Sequence, residues 1–168
     1  MSGIIASDRK RVLRCLLRSW LVIIVFMLVA HVIGRYVFIA FKLTPSIAGH
    51  VFLVFPGVAP QRGDLVAFHA PANPYYPREL WWMKYLVGMP GDRIVHHGRS
   101  LWVAGVYRGI TQQRAQQDNR PLAMIADGVI PAHDLFVWGT HTRSLDSRYQ
   151  IIGLIRDDQV IGRGFRVF

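Results

Sequence analysis

Lys84 sits inside Trp81-Trp82-Met83-Lys84-Tyr85-Leu86-Val87-Gly88-Met89-Pro90-Gly91-Asp92, an apolar run ahead of a turn, in a chain whose other lysines are only Lys10 and Lys42. Arginine carries nearly all the positive charge elsewhere, and arginine cannot give up its proton, whereas a desolvated lysine can. Burial against Trp82 and Tyr85 would push the amine towards its neutral, basic form. Such an amine needs a nucleophile to activate, and Ser46, in Leu43-Thr44-Pro45-Ser46-Ile47, supplies a hydroxyl. A serine with a neutral lysine as its base performs nucleophilic acyl transfer. Thr44, two residues before Ser46, could offer a hydroxyl to a developing oxyanion beside the Ser46 N–H.

A third segment, Gly139-Thr140-His141-Thr142-Arg143-Ser144-Leu145-Asp146-Ser147-Arg148, completes the set. If its end is extended, Ser144, Asp146 and Arg148 share one face by the period of two. Asp146 and Arg148 would then pair, leaving Ser144 to orient a nearby base; as a surface ion pair alone they would contribute little. The seven histidines show no H-E-x-x-H or comparable spacing, so no metal or other cofactor is expected.

These segments must be positioned by the rest of 168 residues, enough for one modest domain and a membrane segment. Of the 20 basic residues behind the net charge of +10, five lie in the first 18 positions, where Arg9, Lys10, Arg11, Arg14 and Arg18 precede or enter an apolar run. The remaining arginines form no stripe with interleaved aromatics, which argues against nucleic-acid binding. The run from Cys15 to Ile33 is long enough to cross a bilayer, and the basic cluster before it keeps the N-terminus inside. The expected organisation is a cytoplasmic N-terminus over 1–14, a transmembrane anchor over 15–34 and an extracytoplasmic domain over 35–168. Gly34-Arg35-Tyr36 is unlike a signal-peptide cleavage site, which favours an uncleaved anchor. The single cysteine, Cys15, cannot form a disulfide within the chain.

Beyond Lys42, short runs of Val, Ile, Phe and Trp broken by Gly, Pro and Asp predict a mainly β domain. Strands are expected at His50–Phe55, Asp64–His69, around Lys84, and at Leu135–Trp138 and Gln159–Phe168. Arg93–His96 and Leu101–Val106 read as a hairpin about residues 97–100. Residues 70–77 read as a proline-rich loop, and residues 108–120, polar and without periodicity, as a solvated surface connector.

Taken in order, Thr44-Pro45-Ser46-Ile47, Arg62-Gly63-Asp64-Leu65-Val66-Ala67-Phe68, Lys84 through Asp92, and Gly139 through Arg148 resemble the sequence boxes of type I signal peptidases. The T-P-S-I form, the short chain and the single anchor look most like the conjugative-transfer, TraF-type branch that processes pilin precursors. The resemblance implies a largely antiparallel β fold, with Ser46 as nucleophile and Lys84 as general base. It further implies Thr44 as oxyanion donor, Ser144 as the hydroxyl orienting the lysine, Asp146 and Arg148 as a supporting pair, and Asp64, Asp92 and Gly139 in structural boxes. Ile47 stands where general leader peptidases usually have methionine, the Ile47-Ala48-Gly49 spacing is one residue short, and Gly139 lies closer to Ser144 than in the usual last box.

The function implied is a single-pass serine endopeptidase of the bacterial cytoplasmic membrane, its catalytic domain in the periplasm. Its expected partners are the lipid bilayer, an exported pilin-like precursor and the conjugation or secretion machinery; in some transfer peptidases an amine replaces water and the pilin is cyclised. Two rivals are a housekeeping leader peptidase and a non-catalytic bitopic subunit of a secretion apparatus. A scaffold, however, has no need of a lysine in WWMKYLVG. A repressor-type autoprotease with a related dyad would lack the anchor and carry a DNA-binding module.

Overall fold

The computed structural model describes residues 2–41, 46–77 and 80–168, in two units, Met1–Phe38 and Ile39–Phe168. The first unit is built on one helix, α1 (Ser2–Tyr36). Proline is absent from it, and its only glycines, Gly3 and Gly34, lie near its ends, so nothing interrupts the backbone ladder. Within α1, Leu16–Tyr36 has a mean hydropathy of 2.4, and apolar side chains such as Leu21, Phe26 and Leu28 are exposed. At 1.5 Å per residue its 21 residues span about 32 Å, roughly the thickness of a bilayer's hydrocarbon core. This segment is therefore long and apolar enough to cross a membrane.

The second unit is mainly antiparallel β. Its strands are β1 (Phe38–Phe41), β2 (Val51–Pro56), β3 (Leu65–His69), β4 (Trp81–Gly88), β5 (Arg93–His97), β6 (Ser100–Val103), β7 (Val106–Ile110), β8 (Gly128–Val129), β9 (Asp134–Trp138), β10 (Ile155–Arg156) and β11 (Val160–Arg166). Seven form one sheet in the order β1-β2-β11-β3-β4-β9-β10, and four form a second in the order β7-β6-β5-β8. β11, last in sequence, lies between β2 and β3 and pairs with both antiparallel.

Alternation along β4 divides the interior in two. Leu86 joins Val66, Phe68, Val137, Tyr149 and Ile155 in one core cluster. Val87, with Tyr85 beside it, joins Ile94, Leu101, Val103, Ile130 and Phe136 in the other. Gly88 permits this second packing: a Cβ there would lie 2.6 Å from Ile130 Cδ1 and 2.8 Å from Val103 Cγ1. Lys84 shares the face of Leu86, not that of Tyr85, so Tyr85 forms no wall for the amine; its partner across the ladder is Trp138.

Several sequence expectations are corrected. Strand structure begins at Phe38, before Lys42. Leu101–Val106 is two strands, because Ala104 and Gly105, with φ of 53° and 74°, make the two-residue turn that joins β6 to β7. The polar stretch from Arg108 opens as the end of β7, and beyond it Thr111 and Ala115 are buried. Residues 139–148 are a succession of turns rather than an extended strand, so the period-of-two face does not exist. Nor is the Asp146–Arg148 pair on the surface: the two side chains are 0% and 2% exposed.

Candidate active site

Lys84 lies opposite Val66 on the neighbouring strand β3, and the residue is only 4% exposed. Its Nζ donates to Ser144 Oγ at 2.8 Å and lies 5.6 Å from the centroid of the Trp82 ring. Burial pulls the lysine pKa down to about 8; nearby Asp146 opposes the shift, and Arg148 adds to it. The result is a largely dry amine whose proton is within reach of neutral pH.

Ser46 begins the turn after the undescribed residues 42–45. Its carbonyl accepts from His141 N at 3.4 Å and from Thr140 Oγ1 at 3.5 Å, which ties the serine segment to the 139–148 loop. Ser46, Lys84 and Ser144 line one pocket of about 480 Å³, walled largely by Phe41, Ile47, Phe52, Leu80, Trp82 and Leu145. Thr44 lies outside the described residues.

The loop that presents Ser144 is stapled from below. Arg148 Nε and Nη2 reach the two Asp146 carboxylate oxygens at 2.8 Å each, and Nη2 also donates to the carbonyls of Gly139, His141 and Ser144 at 3.2–3.3 Å. Asp146 Oδ2 accepts from Gly139 N at 2.9 Å. One buried ion pair is therefore compensated by three loop carbonyls, which share the Nη2 donors, and by the Gly139 N–H, the kind of pairing under which burying charge is tolerable. Ser147 docks the loop on β9: its Oγ accepts from Val137 N, and its N–H donates to Val137 O, each at 3.1 Å.

Gly139 is the point of tightest packing. A Cβ there would stand 2.1 Å from Ser144 Oγ and 2.9 Å from the Ser46 carbonyl oxygen, so only glycine lets the two segments meet. Gly139→Ala is expected to destabilise the second unit by about 1–3 kcal/mol, as overpacking does, read as a lowered thermal midpoint by circular dichroism. An unchanged midpoint would show that the loop moves aside freely.

The two remaining carboxylates hold turns around the lysine strand. Asp92 receives a forked pair of bonds from Arg62 at 2.6 and 2.9 Å and the Met89 N–H at 2.7 Å, closing the turn after β4; hydrogen bonding from Arg62 holds its carboxyl below the usual carboxylate range. Asp64 accepts from Gln61 N at 2.6 Å and pairs with Arg163 of β11 at 2.9 Å.

Sequence reasoning missed Arg143, Gln116 and Gln117, all of which line the pocket, while His141, an alternative base by sequence, lines it as well. The glutamines arrive from the polar connector, whose Gln112 N donates to Oη of Tyr149, just past the 139–148 loop, and beyond which Ile125 N donates to Arg148 O. No local pattern signals that contact; only the buried Thr111 and Ala115 mark the connector as part of the domain.

An antiparallel β unit with a buried lysine bonded to a serine, and a second serine in the same pocket, has the makings of a serine hydrolase. A family model described as "Signal peptidase, peptidase S26" matches residues 14–168, and the chain belongs to that family. It is similar to a signal peptidase I of Pseudomonas fluorescens, 26% identical over 143 residues that cover 65% of this chain and 49% of the relative; it thus spans about half of that protein's length. A crystal structure of a signal peptidase I from Enterococcus faecalis V583 is 25% identical, with a TM-score of 0.40 over 62% of this chain and 96% of that one.

Proposed function

We propose that this chain is a membrane-anchored serine endopeptidase that removes signal or leader peptides from exported precursors, with Ser46 as nucleophile and Lys84 as general base. The observation that carries the reading is the buried Lys84, its pKa lowered to about 8, with Nζ held on Ser144 in the pocket that Ser46 lines. Neutral Lys84 takes the Ser46 hydroxyl proton as Oγ attacks the scissile carbonyl. The oxyanion is stabilised by the Ser46 N–H and Thr44 hydroxyl, and Lys84 returns the proton to the leaving amine. Lys84 then deprotonates a water that hydrolyses the acyl-serine ester, freeing the serine. Ser144 orients the amine throughout, and Asp146, Arg148, Gly139, Asp64 and Asp92 support the loops.

The finer reading is pilin maturation in conjugative transfer or type IV secretion, and it rests on the T-P-S-I box and the short span between Lys84 and Ser144. The full chain in detergent, incubated with a pilin-like precursor, should release a leader peptide. Mass spectrometry of the mature product distinguishes hydrolysis from cyclisation, since the two differ by one water. No cleavage of any exported precursor would sink the proposal.

The proposed organisation is residues 1–14 inside, an anchor over 15–34 and the peptidase domain over 35–168 in the periplasm; the apolar Leu16–Tyr36 segment and the basic cluster before it support this reading. A reporter fused after Phe168 should be active only outside the cytoplasm. Activity in the cytoplasm would reverse the orientation and deny the site its exported substrates.

The lysine also sets the pH dependence. With a pKa of about 8, about one amine in ten is neutral at pH 7, against fewer than one in a thousand for an ordinary lysine. Cleavage should therefore rise with pH and level off above about 8. The effect on stability has the opposite cause: the unfolded lysine titrates near 10.4, so protonation favours the unfolded chain. The penalty is absent above that value, grows as pH falls towards 8, and below it is full at about 3 kcal/mol. A kcat/KM profile flat between pH 6 and 9 would exclude Lys84 as the titrating base.

A further inference from the structure

We infer that Arg143 selects precursors that carry an acidic side chain next to the scissile bond; this rests on the peptidase reading and adds a substrate class to it. The ionisable groups lining the Ser46 pocket include Lys84, His141 and Arg143, and among the described residues that line it none is Asp or Glu. Two described carboxylates that neighbour pocket residues in sequence are already engaged. Asp146 is taken up by Arg148 and the Gly139 N–H, while Asp118, next to Gln117, is held by Tyr75 Oη at 3.2 Å and Arg120 Nε at 2.9 Å. Arg143 differs: it is exposed, and among the described residues its guanidinium forms no ion pair.

Its backbone is nevertheless fixed. The Arg143 N–H donates to His141 Nδ1 at 3.2 Å, the Ser144 N–H to the His141 carbonyl at 3.0 Å, and Arg148 holds both carbonyls of that turn from beneath. The chain thus presents a forked cation one residue from Ser144, against an apolar wall that screens charge less than open water does. A carboxylate on the bound peptide would complete the fork. A lysine or arginine at the same place would face Arg143 and a mostly protonated Lys84, so repulsion adds to the discrimination.

The test uses the full chain in detergent and short peptides with an Ala-X-Ala cleavage pattern, substituted by Asp, Ala or Lys at each position flanking the scissile bond. At one position or more, Asp should exceed Lys about ten-fold in kcat/KM; Arg143→Gln should level the series and Arg143→Glu invert it. Binding of the same peptides to the Ser46→Ala variant, measured by calorimetry, should follow the same order. Equal cleavage of Asp and Lys peptides, or an order that Arg143→Glu leaves unchanged, overturns the inference while the peptidase reading stands. Charge-ordered binding without any cleavage by the unsubstituted chain would instead overturn the peptidase reading and keep the acid-selective pocket. Neither cleavage nor ordered binding would remove both.

Discussion

Replacing Lys84 by Met, or Ser46 by Ala, is expected to lower precursor cleavage about 10⁴-fold or more while leaving the protein folded, the scale of loss seen when a nucleophile or its base is removed. Met matches the lysine stem in volume and carries no charge into the Trp82-lined slot. Lys84→Met should therefore be at least as stable as the original chain below pH 8, where the buried ammonium is a burden. Lys84→Arg tests the proton itself: it keeps the charge but cannot release it, so it should be inert wherever it folds. Cleavage assays paired with thermal melts read both quantities. If Lys84→Met retained substantial cleavage, the base would lie elsewhere, and His141 would be the first alternative because, unlike His50 and His69, it lines the same pocket as Ser46.

Arg148→Ala is expected to cost about 3–5 kcal/mol of unfolding free energy, the range found when one partner of a buried ion pair is deleted. The substitution strands the Asp146 carboxylate at 0% exposure and deprives three loop carbonyls of a donor. Asp146→Ala should be comparably damaging, and the double variant should cost less than the two single effects added together. Urea unfolding of the three variants reads this directly. A loss below about 1 kcal/mol for Arg148→Ala would mean that the loop is held by other contacts, with Ser147 on β9 the foremost.

Legibility in the sequence followed the type of interaction. Strands β2, β3, β4 and β9 were readable because Val, Phe, Trp and Leu accumulate between Gly, Pro and Asp breaks, and α1 because an uninterrupted apolar run leaves few alternatives. The β6–β7 turn was not, because Val103-Ala104-Gly105-Val106 stays apolar through the bend. The 139–148 loop misled for a subtler reason. Alternating Ser144, Asp146 and Arg148 looks extended, yet the alternation serves a ring of hydrogen bonds around one guanidinium. Of the site, Ser46, Lys84 and Ser144 could be named from residue chemistry and ordered boxes. Gln116, Gln117 and Arg143 could not, since their place at the pocket depends on how one loop lies over another.

The position of β11 has a consequence for how the site comes into being. Its slot between β2 and β3 is empty until the final residues of the domain are available, so a chain emerging from its N-terminus holds two unpaired strand edges in the meantime. β3 pairs locally with β4 on one edge, but its other edge waits for β11 and closure across about a hundred residues, a slow, entropically expensive step. Ser46 and Lys84 are both made early but meet their working surroundings late. The partly synthesised chain is thus kept from presenting a finished pocket, and shortening the domain by its last strand should abolish assembly rather than trim it.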